Sequence, residues 1–419
     1  MAQTTNVLFQ PLTIGGLIVA GRVFKTATSE TRASPEGFVT DELLEFYRPL
    51  AQAQTPLIIT GNMHVSRDGQ STPRMCGIDH DDKLPGLVRL TDMVHAHGSR
   101  IIAQLNHCGR QVLPAAMGLR EAVSASDVTE KVMGTKPRPL SVAEIAQIVV
   151  SFADAAVRAQ RAGFDGVQIH AAHGYLISQF LTPYTNRRGD QYGGGLDNRM
   201  RLLVEVYQAI RERVGAAFPI IVKLNGSDYL PLRRGLKTQE LVAVAQRLEA
   251  LGVDAVEISV GHYESGMPVV RGRFWRFFPA MLRLGSGTQL PWVRRAVFAL
   301  FWPLAALAFN LLWPPREGFN LHYARKFKAA LRIPVICVGG FYTRAEMERT
   351  LRAGWCDALA CGRAMIADPY LYRHLRDNTV GPRCVYCNAC VGRIGGLPVD
   401  CYHPDVRREK DAMLAAPPV

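Results

Sequence analysis

The chain has 419 residues, 48% of them apolar and 20% charged, the composition of an ordinary soluble protein with ample material for a large core. Lysine and arginine outnumber the acids 49 to 36, a formal net charge of +13 that admits a nucleic-acid or acidic-membrane partner. No nucleic-acid motif and no interleaving of basic and aromatic residues accompanies it, which argues against the first. Nine cysteines, an odd number in apolar settings such as VICVGG and ALACGR, fit the reduced thiols of a cytoplasmic protein rather than a disulfide framework. The opening MAQTTNVLFQPL lacks the basic start and apolar run of a signal peptide.

In chain order, apolar β-branched runs predict strands near 22–29, 56–63, 100–107, 166–172, 219–226, 255–261, 333–340 and 358–363. Several are nearly continuous apolar runs, as expected of parallel strands covered on both faces. Helical periodicity between them is clearest over 41–53, 84–97, 142–162, 197–214, 238–251, 321–331 and 343–353. Ser141, with Glu144 three residues on, forms a capping pair at the start of the third. Eight strand–helix units predict an α/β fold, a closed (β/α)8 TIM barrel with its active site at the C-terminal ends of the strands. The competing open doubly wound sheet calls for a GxGxxG after its first strand, and none is present. Two segments stand outside the repeat. An insertion over 262–318 follows the sixth strand and belongs on the active-site face, and a cysteine-rich extension over 376–419 follows a barrel domain that ends near 375.

The fourth strand runs into IHAAHGYLISQFLTP. His173 is three residues beyond His170, so it falls in the turn leaving the strand, and His170, His173 and Tyr175 can converge above the barrel mouth. Two imidazoles and a phenol suit a developing oxyanion: the imidazoles donate to a carbonyl oxygen and the phenol supplies a proton. The spacing alone leaves a metal pair or structural histidines open. The seventh strand ends in Gly339-Gly340 and the eighth in Gly362-Arg363. Glycines there let backbone N–H groups approach a phosphate, and Arg363 can clamp it; the bland alternative is that they only make turns.

The segments LFQPLTIGGLIVAGRVFKTATSE, IIAQLNHCGRQ, GFDGVQIHAAHGYLISQFLTPYTNRRGDQYGGGLDNRMRLL, IIVKLNGSDY and ALACGRAMIADPYL together resemble the Old Yellow Enzyme family, over roughly residues 6–261 and 319–375. The resemblance implies an FMN-dependent ene-reductase-type oxidoreductase with NADH or NADPH as reductant. It implies that Ala27 and Thr28 offer backbone groups to the isoalloxazine, that Ser29 bonds near flavin O4, that Gly61 lines the ring and that Gln104 meets the pyrimidine edge. Lys223 would sit by N1/O2, where a cation stabilises reduced flavin. Gly339, Gly340, Gly362 and Arg363 would hold the phosphate. His170 and His173 would bind the carbonyl of an enone or dienoyl substrate, and Tyr175 would protonate its α-carbon. Ser29 departs from the Thr or Cys of many relatives. Amine oxidation or demethylation, and a non-catalytic electron-transfer role, are the competing functions; the first would need an apolar or aromatic cage for a cationic nitrogen, which the paired histidines disfavour.

Cys384, Cys387, Cys390 and Cys401 read C-x2-C-x2-C-x10-C, more ferredoxin-like than zinc-like, with zinc and unliganded thiols as alternatives. The motif resembles the [4Fe–4S] site of the dienoyl-CoA reductase and trimethylamine dehydrogenase branch, whose further flavin and NAD domains this sequence has no length for. The insertion contains RRAVFALFWPLAALAFNLLWPPR and carries seven arginines against two glutamates. Its apolar run nearly suits a membrane span, yet both ends must return to one barrel, and Pro303 and Asn310 interrupt it. Peripheral membrane contact through 291–315, with a lipophilic substrate, and a lid or homo-oligomer contact are the two expectations.

Overall fold

The computed structural model describes residues 6–230, 234–265 and 268–416. Eight parallel strands form the closed barrel: β1 Val23–Lys25, β2 Leu57–His64, β3 Arg100–Asn106, β4 Val167–His170, β5 Ile220–Asn225, β6 Ala255–Ser259, β7 Val335–Val338 and β8 Ala358–Cys361. Each pairs with its sequence neighbour, and the Leu359↔Val23 pairing closes β8 on β1. The strands are buried on both faces, which explains their unbroken apolar runs. Helices cover the outside; Thr40 caps Asp41–Gln52, and Ser141 and Glu144 form a complete capping box on Val142–Arg161.

Strand periodicity sorts the barrel interior into layers. Successive inward residues are two apart, so Ile102 is followed by Gln104, Ile221 by Lys223 and Ala255 by Glu257. The lower layer is apolar and is plugged from below by Ile14 and Val19 of a small hairpin, Leu12–Ile14 with Leu17–Val19. The next layer is polar, and the residues two further on (His170 after Gln168, Asn225 after Lys223, Ser259 after Glu257) form the floor of the mouth.

The elements differ from expectation at two places. β1 stops at Lys25 because 26–29 leave the sheet to line a cavity. In the insertion, Pro303 does not interrupt: one helix runs from Trp292 to Leu312 straight through it. The proline sits on the exposed side, and the helix forgoes one backbone hydrogen bond there. Asn310 is likewise accommodated, its Oδ1 accepting from the Phe274 N–H at 2.8 Å. The extension after the barrel packs back onto the β1 loop, through Val399 N–H to the Glu30 carbonyl and Arg32 Nη2 to the Val399 carbonyl, both 2.8 Å.

Candidate active site at the barrel mouth

Beyond β4 the chain turns sharply, with His173 at φ 60° and Gly174 at φ 81°. A side chain on Gly174 would strike Gln111 and His262 at 2.5 Å, so the turn needs glycine there. The turn folds His173 and Tyr175 back over His170: the His170 ring lies 5.0 Å from that of His173 and 4.8 Å from that of Tyr175, each edge to face. His170 Nδ1 accepts from the Ala172 N–H at 3.2 Å, which leaves Nε2 carrying the proton in the neutral ring. His173 is fixed by Asn225 Oδ1 at its backbone N–H, 3.2 Å, and by Ser259 Oγ at Nε2, 2.7 Å. Burial, reinforced by Lys223 and by a neighbouring imidazole (His173 for His170, His262 for His173), holds both well below the usual histidine range, so both are neutral near pH 7. Burial also pushes the Tyr175 phenol far above its usual range, against a hydrogen bond with Asn62. Among the described residues, no three His, Cys, Asp or Glu side chains come together to hold a single metal ion, so the histidine pair lacks a third ligand.

Beneath the histidines lies a closed polar relay. Lys223 Nζ pairs with Glu257 Oε1 at 2.8 Å; Thr26 Oγ1 donates to the same oxygen at 2.6 Å, and Gln168 Nε2 to Oε2 at 2.8 Å. Gln104 Nε2 completes it at Gln168 Oε1, 2.6 Å. Burial works to raise the Glu257 carboxyl, but Lys223 and the three hydrogen bonds hold it below its ordinary value, so the carboxylate is ionised. Sequence reasoning found Lys223 and missed Glu257, Gln168, Asn225 and Ser259. The available signal was a glutamate inside the buried strand AVEIS, and polar residues two positions beyond each inward one.

Two contiguous cavities open above this floor. One, about 870 Å³, is lined by Thr26, Ala27, Thr28, Lys223, Gly340, Gly362 and Arg363. The other, about 1370 Å³ including its open mouth, is lined by Tyr175, Gln111 and Tyr263 and by apolar groups of the insertion, among them Phe277, Met281, Leu290 and Phe298. Ser29 and His173 belong to both. His170, Gly61, Gln104 and Gly339 are not among the lining residues of either. Gly61 lies behind the wall, its N–H bonded to Glu30 and to Tyr47 Oη, and a Cβ there would collide with the Glu30 carboxylate. Arg363 donates to Asn388 Oδ1 and stacks 4.9 Å over Tyr386. It lines the first cavity and also a small third one, about 310 Å³, around which Cys384, Cys387, Cys390 and Cys401 are gathered.

Fold and site together describe a (β/α)8-barrel enzyme with its chemistry at the C-terminal ends of the strands. The chain belongs to the NADH:flavin oxidoreductase / NADH oxidase family, the Old Yellow Enzyme type of barrel, whose profile matches residues 7–280. It is 36% identical over 98% of its length to the metal reductase of Desulforamulus reducens, of which it covers 55%. It is 31% identical to the 4,4'-dithiodibutanoate disulfide reductase of Rhodococcus erythropolis, over 93% of both chains. Among solved structures, 2-naphthoyl-CoA reductase in complex with 2-naphthoyl-CoA superposes with a TM-score of 0.80 at 25% identity, covering 98% of this chain and 59% of that one. The chain thus spans about half the length of the first curated relatives it matches.

The family implies FMN, and the first cavity fits it. Its lining offers the cation of Lys223, and Gly340 and Gly362 bring backbone without side chains together with the Arg363 guanidinium, as a phosphate requires.

Proposed function

We propose that this chain is an FMN-dependent NAD(P)H oxidoreductase that reduces an activated alkene, an α,β-unsaturated carbonyl or dienoyl compound. The observation that carries the reading is the edge-to-face trio of His170, His173 and Tyr175, whose His173 lines the same cavity as Lys223 and Arg363. Bound FMN supplies the hydride-carrying centre, loaded from NADH or NADPH. The protein's residues do the rest. His170 offers Nε2–H to the substrate carbonyl. Ser259, by donating to His173 Nε2, leaves Nδ1–H as the second donor, so the two imidazoles polarise the carbonyl without a proton change. Tyr175 keeps its proton because burial disfavours phenolate, and delivers it to the α-carbon as hydride arrives at the β-carbon. The apolar wall of the insertion excludes water and favours a lipophilic substrate. Similarity to a protein named for 2-naphthoyl-CoA reduction supports an unsaturated thioester as one substrate class.

Ala27, Thr28 and Ser29 would border the ring, with Lys223 by its pyrimidine end and Gly340, Gly362 and Arg363 around the phosphate. The four cysteines would hold a [4Fe–4S] cluster. In support, all four line one small cavity walled by Ile366 and Ala367, and no disulfide joins them. Anaerobic purification with iron and acid-labile sulfide analysis should return about four of each per chain; a tail without either removes the cluster. For the enzyme itself, the purified chain should take up FMN, be bleached anaerobically by NADH or NADPH, and be reoxidised by members of a panel of enones and dienoyl thioesters. Material that remains spectroscopically blank in excess FMN would overturn the assignment.

A further inference from the structure

A surface helix of a soluble protein turns an apolar stripe inward and charged residues outward. The Trp292–Leu312 helix keeps only half of that pattern. Its inward stripe is ordinary: Trp302, Ala306, Phe309 and the following Trp313 pack on Phe274, Phe277 and Phe278. Its outward face is apolar as well. Trp292 is 80% exposed, Leu300 72%, Leu304 66% and Leu311 75%. From Ala296 to Leu312 there is no charged residue.

The helix is long and apolar enough to cross a bilayer, but its attachments forbid it. Near its start, Arg294 Nη1 donates to the Lys131 and Val132 carbonyls at 3.1 and 3.2 Å. At its end, Asn310 bonds the Phe274 N–H, and the Trp313 carbonyl accepts from Gly272 at 2.8 Å. Both ends are therefore pinned to the same body, and the helix, about 30 Å long, lies along the surface. The chain around it is basic: residues 265–316 hold seven arginines and no acid, and Arg273, Arg276, Arg283, Arg295 and Arg316 are exposed.

We propose that this face docks on an anionic lipid bilayer as a monotopic contact, with the outward residues of the helix in the acyl boundary and the arginines on the headgroups. Charge decides between the two coverings an apolar face can have. A second copy related by a two-fold axis would bring this acid-free arginine segment against itself, whereas anionic headgroups complement it. Exposed Trp275 and Trp292 suit the headgroup boundary. Phe298, on the inner side of the helix, lines the larger cavity with Leu290 and Met281, so docking brings the apolar wall of the mouth close to lipid. The surface assignment is independent of the reaction proposed above; only the delivery of a lipophilic substrate from the bilayer rests on it.

The test is flotation of the full chain with phosphatidylcholine vesicles and with vesicles containing phosphatidylglycerol, for the wild type and for Leu300→Glu/Leu304→Glu/Leu311→Glu. Sedimentation velocity without vesicles and FMN uptake serve as controls on assembly and folding. The wild type should float with anionic vesicles, and the triple variant at least about tenfold less, while it still binds FMN. Equal flotation of the two proteins would overturn the proposal. So would a wild-type dimer that ignores vesicles and that the triple variant dissociates, since a second copy would then cover the face. Flotation independent of phosphatidylglycerol would remove the role given to the arginines. Should the triple variant fail to bind FMN, Leu304→Glu alone, at the centre of the exposed face, carries the same comparison.

Discussion

The barrel mouth and the outer face of the Trp292–Leu312 helix break the usual partition of residues in opposite senses. At the mouth, Lys223, Glu257, Gln168 and His170 are charged or polar and almost wholly buried; on the helix, tryptophan and leucine stand in the open. A folded chain satisfies itself first, so either departure marks a place where something outside the chain completes the structure. The two are completed differently. Charged groups that line a cavity, as Lys223 and Arg363 do, call for a ligand that presents complementary charge and hydrogen bonds, whereas an exposed apolar face needs only a phase. The mouth is therefore expected to be sensitive to single atoms, and the helix to its summed apolar area.

The largest expected effect tests that sensitivity at one oxygen. Tyr175→Phe removes the proton donor and leaves the ring packed against its neighbours, so FMN affinity should be unchanged and enone reduction should fall about 10³-fold. Because burial raises the phenol and lowers both imidazoles, the wild-type rate of this step should be flat between about pH 6 and 9. A single-turnover step near neutral pH, or a fully active Tyr175→Phe, would break the assignment. His170→Ala should cost about 10²-fold, the scale of one oxyanion donor, and should spare the reductive half-reaction with NAD(P)H.

One layer down, the mouth should respond more gently. Glu257→Gln leaves Lys223 without its counter-charge and strengthens the positive field beneath the first cavity. The midpoint potential of bound FMN should rise by about 30 mV, tenfold in the two-electron equilibrium. An unchanged potential, measured by anaerobic dye equilibration, would mean that Lys223 does not act on the ring.

The contrast also explains what the sequence disclosed. Strand period 2 and the unbroken apolar runs sufficed for the barrel, and the three-residue step from His170 to His173 was enough to expect a turn. Partners across strands were not visible, because Glu257 meets Lys223 through the register of β6 on β5, which no local pattern encodes. Nor does any local pattern show that the Gly61 N–H is bonded to Glu30, a residue brought there by a loop. In the insertion the apolar character was plain and the conformation was not: Pro303 looked like a break, and only the packing of Trp302, Ala306 and Phe309 on a phenylalanine cluster shows why the helix persists.

A buried polar group away from both regions provides the control. His64 is fully buried on β2 beside Asp79 and Lys83, and burial, with Lys83, lowers it to about 4 against the pull of Asp79. Its unfolded value is about 6.5, so between 6.5 and 4 the unfolded chain binds the extra proton, and the stability due to neutral His64 is lost as pH falls through that window. His64→Gln should destabilise by about 1 kcal/mol at pH 7, with the deficit shrinking towards pH 4, and should leave enone reduction intact. A deficit that does not vary with pH would show that His64 is not held neutral.

The smallest expected effect sharpens the other side of the comparison. Leu300→Glu places a charge on a helix position that is 72% exposed and makes little contact with the barrel. An ordinary core leucine would cost several kcal/mol on such a change, because a charge would lose its hydration and a cavity would open. Here neither happens in solution, and glutamate is as good a helix former as leucine. Chemical denaturation should place the variant within about 0.5 kcal/mol of the wild type. Since stability gives no reason for leucine at this position, a near-zero value would locate its purpose outside the folded chain. A loss of about 2 kcal/mol or more would mean instead that the face is packed within the protein itself, and the distinction between the two regions would close.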